Sequence, residues 1–160
     1  VSASNILPLG IYKLVAVEKE GKIIPKIKVS ENVEKITNPG FKKTYRLYDS
    51  ITHKALADLI CLHDEEIDFT QDIEIFDPNA TWKRKTVTNY YVKELLVPVF
   101  INGEQVYENP SLEEIRKYCQ EEVDSLWDEM KRLVNPHKYY VDLSQGLWDI
   151  KNDLLKKNNK

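Results

Sequence analysis

The hydrophobic period of this chain changes once, near Ser111, and no other feature limits its fold as much. Upstream, short apolar and β-branched runs are separated by Gly, Pro and Asn. Residues 11–17 (IYKLVAV), which follow Pro8 and Gly10, read as a strand. Residues 18–22 (EKEGK) read as a hairpin turn in which Gly21 supplies positive φ. Residues 23–29 (IIPKIKV) alternate, with Ile27 and Val29 inward, Lys26 and Lys28 outward, and Pro25 at a strand start or edge. Residues 44–48 follow an Asn38-Pro39-Gly40 turn, and 55–62, 73–76, 85–92 and 95–101 are further strand candidates. Asn102-Gly103 is a turn pair from which 105–107 return.

Downstream the spacing becomes helical. Ser111 and Glu114 form a capping-box pattern. Ile115, Tyr118, Cys119, Val123, Leu126, Trp127, Met130, Leu133 and Val134 then recur at helical spacing until Pro136 stops them. A second helix is expected to open at Asp142 or Ser144, with Leu143, Leu147, Ile150, Leu154 and Leu155 on one side and a frayed tail over 156–160. Strands followed by helices predict an α+β fold, β-rich over 10–107 and helical over 111–156, with the helices packed on one face of a mostly antiparallel sheet. Few glycines and no long linker argue against two independent domains.

Composition removes several function classes. The 160 residues amount to about one domain. A net charge of −3 offers no bulk attraction for nucleic acid or an anionic membrane. No stretch approaches the ~20 apolar residues of a membrane span. The opening Val-Ser-Ala-Ser-Asn has neither an initiator Met nor a signal-peptide core and reads as the interior of a longer chain. Cys61 and Cys119 stand apart with no CxxC, and are expected as two buried, reduced thiols in a cytoplasmic protein.

The residues able to carry chemistry are sparse. His53 lies in an expected turn over 50–54, His63 at a strand end, and His137 just after Pro136. None has a sequence partner at triad or metal-site spacing, and each reads as a solvated or capping histidine. Asp64-Glu65-Glu66 with Asp68 lacks the alternation and glycine of a calcium loop and reads as a solvated acidic loop. Trp82, Trp127 and Trp148 could stack on rings, but packing between helices and sheet accounts for them. One basic stretch is harder to set aside. Between Lys26 and Arg46 the chain carries Lys28, Lys35, Lys42 and Lys43, together with Ser30, Thr37 and a Pro-Gly turn. Cations around a turn with free amides can grip phosphate. A solvated basic loop balanced by Glu31 and Glu34 remains the other reading.

The same stretch carries a family resemblance. GIYKLVAV (10–17), KVSENVEKITNPGFKKTYR (28–46), DLICL (58–62), LLVPVF (95–100), NGEQVY (102–107), PSLEEIRKY (110–118), LWDEMKRLVN (126–135) and YVDLSQGLW (140–148) resemble, in this order, the segment after the barrel in bacterial nicotinate phosphoribosyltransferases. The resemblance implies an enzyme that condenses nicotinate with phosphoribosyl diphosphate to nicotinate mononucleotide in NAD salvage, assisted by ATP and Mg²⁺. It implies a homodimer of type II phosphoribosyltransferases, in which an α/β barrel is flanked by a domain built from both chain ends. On this reading residues 1–9 are a remnant of the barrel end, and 10–160 are the C-terminal domain, whose partners are the barrel and the N-terminal domain. The family's catalytic groups lie upstream, so no catalytic or metal-ligating residue is carried over, no cofactor is expected on this portion, and the portion alone is expected to be inactive. In the sister nicotinamide phosphoribosyltransferases two lysines of the equivalent segment lie near the substrate's phosphates. Lys28 and Lys35 match them by spacing, although the intervening sequence differs and the loop before Arg46 is longer. A purely structural or dimerisation module without ligand contact is the alternative.

Overall fold

The computed structural model describes residues 12–158, so the segment 1–9 and the start of the first expected strand at Ile11 lie outside the described residues. The chain divides into two compact units. One extends through Phe41 and resumes at Ile150; the other is Lys42–Asp149.

In the smaller unit β1 (Ala16–Lys19) and β2 (Lys22–Pro25) pair antiparallel. Glu20 and Gly21 between them both have positive φ, 52° and 72°, the geometry whose twist suits a two-residue hairpin. The strands are shorter than the apolar runs suggest. The register ends at the Ala16–Pro25 pair, and the Lys26 amide extends it, donating to the Val15 carbonyl at 2.8 Å. Beyond Pro25 the side chain of Thr37 takes over from the ladder: its Oγ1 accepts the Lys28 amide at 3.0 Å. Ile27 is half-buried between exposed Lys26 and Lys28, as the alternation predicts. Val29 is 43% exposed instead of inward, because among the described residues no partner strand lies there to impose the pleat. A single 3-10 turn, Val33–Lys35, follows. Pro39 is fully buried, and Gly40 at φ 87° donates its amide to Val15 at 2.7 Å. Lys151, on the helix that ends the chain, donates to Asn38 Oδ1 at 2.8 Å.

The larger unit is built on β3 (Lys42–Asp49) and β4 (Ala55–Leu62), an antiparallel pair joined through a turn where His53 has φ 56°. β5 (Ile73–Phe76) and β6 (Arg84–Val87) form a separate hairpin, and β7 (Tyr90–Glu94) pairs with the free edge of β3. β8 (Phe100–Ile101) and β9 (Glu104–Gln105) make a minimal hairpin on Asn102-Gly103, both at positive φ. Then come α1 (Leu112–Ser125), β10 (Val141–Leu143) and α2 (Gln145–Asn158). The main sheet runs β10-β4-β3-β7, and only the β10–β4 contact is parallel. Leu47, Ala57, Leu59, Ile75 and Val87 form the core, with Ile67, Phe69, Tyr90 and Val92 packed against it. The fold is α+β, strands first and two helices after.

Five local expectations need correction. The apolar run 85–92 is two strands, because Asn89 turns to φ 49° and its carbonyl accepts the Ser50 amide. Residues 95–99 form no strand, and Pro98, lacking an amide proton, cannot join a ladder from within. The short β10 was missed as a strand: three residues gain their pairing only from distant β4, where the Asp58 amide donates to Tyr140 and the Ser144 amide to Ile60. α1 stops at Ser125, well before Pro136, since its last carbonyls find other donors. Ser125 Oγ donates to the Glu122 carbonyl, and Lys54 Nζ donates to those of Asp124 at 2.6 Å and Leu126 at 3.2 Å. This helix meets the sheet through Glu122 and through Tyr118, whose ring lies 4.7 Å from Lys93 Nζ, but the expected burial of its apolar face is missing. None of its residues is buried, and Ile115, Tyr118 and Val123 are about half exposed. α2 behaves as a packed helix should: Leu147 is fully buried, and Trp148 meets Phe76 edge-on at 6.2 Å.

Candidate functional site

The smaller unit contains a cleft of about 630 Å³ lined, among the described residues, by Lys13, Lys28, Ser30 and Lys35. Three local devices bring these side chains together. The Thr37 hydroxyl pins the Lys28 backbone just past β2. The 3-10 turn places Lys35 at its end, its amide donating to Asn32 at 3.0 Å. Lys13 donates from Nζ to the Lys35 carbonyl at 3.3 Å, which ties the incoming segment to that turn. The two lysines singled out from the sequence therefore share one cleft. Lys13 was missed; its only signal was a lone cation inside the apolar run IYKLVAV. Ammonium groups gathered around a hydroxyl can hold a phosphorylated or other polyanionic ligand by charge-assisted hydrogen bonds.

The rest of the basic stretch lies in β3 of the larger unit and has other work. Arg46 grips Asp58 bidentately, Nε to Oδ1 at 2.7 Å and Nη2 to Oδ2 at 3.0 Å, and Nη1 donates to Glu122 Oε2 at 2.6 Å. Tyr48 and Lys93 also donate to Glu122, at 3.2 and 2.7 Å, and Tyr139 donates to Asp58 at 2.9 Å. Burial alone would raise the Glu122 carboxyl; the Lys93, Arg46 and Tyr48 partners outweigh it and hold it below the usual carboxylate range. The bond to Asp58 raises the Arg46 guanidinium further, and burial followed by the Asp58 charge raises the Tyr139 phenol. Each charge in this network is answered from within. Its role is mechanical: it joins α1, through Glu122, to β3 and β7.

The remaining candidates resolve individually. His53 Nδ1 lies 3.4 Å from the Tyr91 hydroxyl on an exposed turn, and the His137 amide donates to Glu129. Glu65 is not a solvated acid: its Oε2 accepts from Ser144 Oγ and from the Leu62 amide, while Ser144 caps α2 by accepting the Leu147 amide at 3.2 Å. Cys61 is buried, and burial pushes its thiol up to about 11. Cys119 is exposed on α1, contrary to expectation, because that helix buries no face. Trp82 is 79% exposed, and Trp127 lies beyond the end of α1. Among the described residues no group of three or more His, Cys, Asp and Glu side chains could hold a metal.

The molecule is an α+β protein whose smaller unit carries a cation-lined cleft. The chain belongs to the nicotinate phosphoribosyltransferase C-terminal domain family, whose model matches residues 41–151. It is 41% identical over 141 residues to the nicotinate phosphoribosyltransferase of Bacillus subtilis (strain 168), covering 88% of this chain and 29% of that one. The human nicotinate phosphoribosyltransferase is 34% identical over 146 residues, 91% of this chain and 26% of its own length. The crystal structure of human nicotinic acid phosphoribosyltransferase matches with a TM-score of 0.67 at 30% identity, covering 74% of this chain and 24% of that chain. The chain thus spans little more than a quarter of the relatives it matches. Lys28 and Lys35 precede residues 41–151, so the family assignment does not rest on them. No helix among the described residues is long and apolar enough to cross a membrane.

Proposed function

We propose that this chain is the C-terminal portion of a nicotinate phosphoribosyltransferase, and that it completes the enzyme while presenting Lys28 and Lys35 to the phosphates of phosphoribosyl diphosphate. The parent enzyme condenses nicotinate with that substrate, assisted by ATP, to nicotinate mononucleotide and diphosphate in NAD salvage. The observation that carries the reading is the convergence of Lys13, Lys28, Ser30 and Lys35 on one cleft. Charge accumulates on the departing diphosphate as the glycosidic C–O bond lengthens, and ammonium groups already in place lower that barrier without reorganising. Mg²⁺ would attend the phosphates in this reaction, held chiefly by the phosphates themselves and groups elsewhere in the parent enzyme.

The open apolar residues of α1 support the other half of the reading. Leu112, Ile115 and Tyr118, with Phe100 and Ile101 of the β8–β9 hairpin, are each about half exposed or more. Apolar surface of this kind marks a docking face. Its partner in the proposal is the remainder of the enzyme, in its own subunit or across a homodimer.

The test is kinetic. In the full-length parent, Lys28→Ala is expected to worsen kcat/KM for phosphoribosyl diphosphate about tenfold or more, the worth of one charge-assisted contact at about 1.5–3 kcal/mol. Lys35→Ala should act in the same direction. Kinetics within about twofold of the parent for both variants would leave only the structural role. The 160-residue chain alone is expected to show no transferase turnover.

A further inference from the structure

The larger unit holds a second cavity, of about 240 Å³, between the β5–β6 hairpin and the β10 edge of the sheet. Leu56, Ile75 and Tyr140 give it an apolar wall. Asp142 faces it from β10, fixed there by the parallel pairing of Asp142 with Leu59. Asp142 is only 3% exposed, yet among the described residues its carboxylate takes no hydrogen bond and no ion pair. Among the described residues no fully buried side-chain oxygen lacks a partner, so the Asp142 carboxylate oxygens are not sealed in the core and open onto the cavity. A second acid, Asp77, lines the same space, with its Oδ1 accepting the Asn79 amide at 2.9 Å. Burial first, and then the charge of Asp77, pushes the Asp142 carboxyl up to about 6, an effect Lys138 partly offsets. Two carboxylates therefore share this cavity.

The lining also carries exposed cations. Arg84 is committed, paired with Glu74 and stacked over Phe76 at 5.0 Å. Lys83 and Lys85 are exposed and form no ion pair among the described residues. An inorganic anion would meet Asp77 and Asp142, and a simple diamine would leave a charge facing Lys83 and Lys85. The volume lies below the roughly 300–1,000 Å³ of sites for drug-sized ligands. We propose that this cavity binds a small zwitterion of the amino-acid class, its ammonium against Asp142 and its carboxylate toward Lys83 and Lys85. The ammonium would give Asp142 the charge-assisted bond that the fold withholds.

The experiment is an NMR titration of the isotopically labelled 160-residue chain with ω-amino acids from glycine to ε-aminocaproate. Putrescine and succinate serve as the all-cation and all-anion controls. One member of the series is expected to shift the Asp142 and Lys85 amides saturably and to bind more tightly than either control. Asp142→Asn should weaken it about tenfold or more, as loss of a charged hydrogen bond implies. Lys85→Gln, an exposed substitution that leaves the core intact, should weaken it less and leave putrescine unweakened. Absence of any saturable shift overturns the site. Succinate or putrescine binding as tightly as the best amino acid overturns the zwitterion, as does unchanged binding by both variants.

Discussion

One basic stretch, Lys26 to Arg46, serves two units in opposite ways. Its first half supplies Lys28 and Lys35 to a cleft lined among the described residues by three lysines and a serine. Its second half supplies Arg46 to a network in which Asp58, Glu122, Tyr48, Lys93 and Tyr139 answer every charge. Paired charge of the second kind fixes a helix to a sheet and has little capacity left for a ligand. Gathered charge of the first kind contributes little to folding but retains a field for an anion. Residue type does not separate the two uses; among the described residues, the presence of facing carboxylates does.

Removing a cation from each unit should therefore have opposite readouts. Arg46→Ala leaves Asp58 and Glu122 without their shared partner in a site where both are largely shielded from water. It should destabilise the larger unit by about 3 kcal/mol, read from chemical denaturation. A loss below about 0.5 kcal/mol, the usual scale for surface pairs, would put the network with ordinary surface ion pairs. Lys28→Ala should leave the melting temperature unchanged while lowering kcat/KM of the parent enzyme by the equivalent of about 2 kcal/mol. A fall in stability instead would make Lys28 structural.

Asp142 measures the cost of a poorly solvated charge beside a second acid. Its folded carboxyl titrates at about 6, above the roughly 3.9 of an unfolded aspartate. Between these values the folded chain holds the extra proton, so this group's contribution to stability falls as pH rises from about 4 to about 6. Asp77, Lys138, Lys83, Arg84, Lys85 and the Tyr140 phenol surround it; of these, Asp77 drives its carboxyl upward and Lys138 opposes it. Asp142→Asn should stabilise the chain on the order of 1–2 kcal/mol at pH 7 and leave it unchanged near pH 4. An equal effect at both pH values would show that the cavity does not burden the ionised form. The smallest expected effect lies at the start of α1. Ser111 accepts the Glu114 amide at 3.3 Å while Glu114 accepts the Ser111 amide at 2.7 Å. Ser111→Ala should cost about 1 kcal/mol, seen as faster amide exchange confined to the first turns of α1. A helix held by caps and one carboxylate hub should register that loss locally.

Much of this could be read from residue order because its causes are local. The capping box at Ser111, the glycine turns at Gly21 and Gly103, and the apolar run of β4 depend on neighbours a few residues away. The α+β order follows from the change of period near Ser111. Lys28 and Lys35 could be picked out from spacing and family resemblance, though their convergence on one cleft could not. Three-residue β10 carries no period of its own, and only its pairing with β4 makes it a strand. α1 has the amphipathic spacing of a packed helix, but spacing states what a helix could bury and not whether a surface arrives to cover it. Its early end depends on Lys54, far upstream in sequence. By itself the sequence determined the kinds of element, their order and the cations available. Tertiary structure alone decided which of those cations meet a carboxylate, because that depends on contacts between residues as distant as Arg46 and Glu122, which no local pattern encodes.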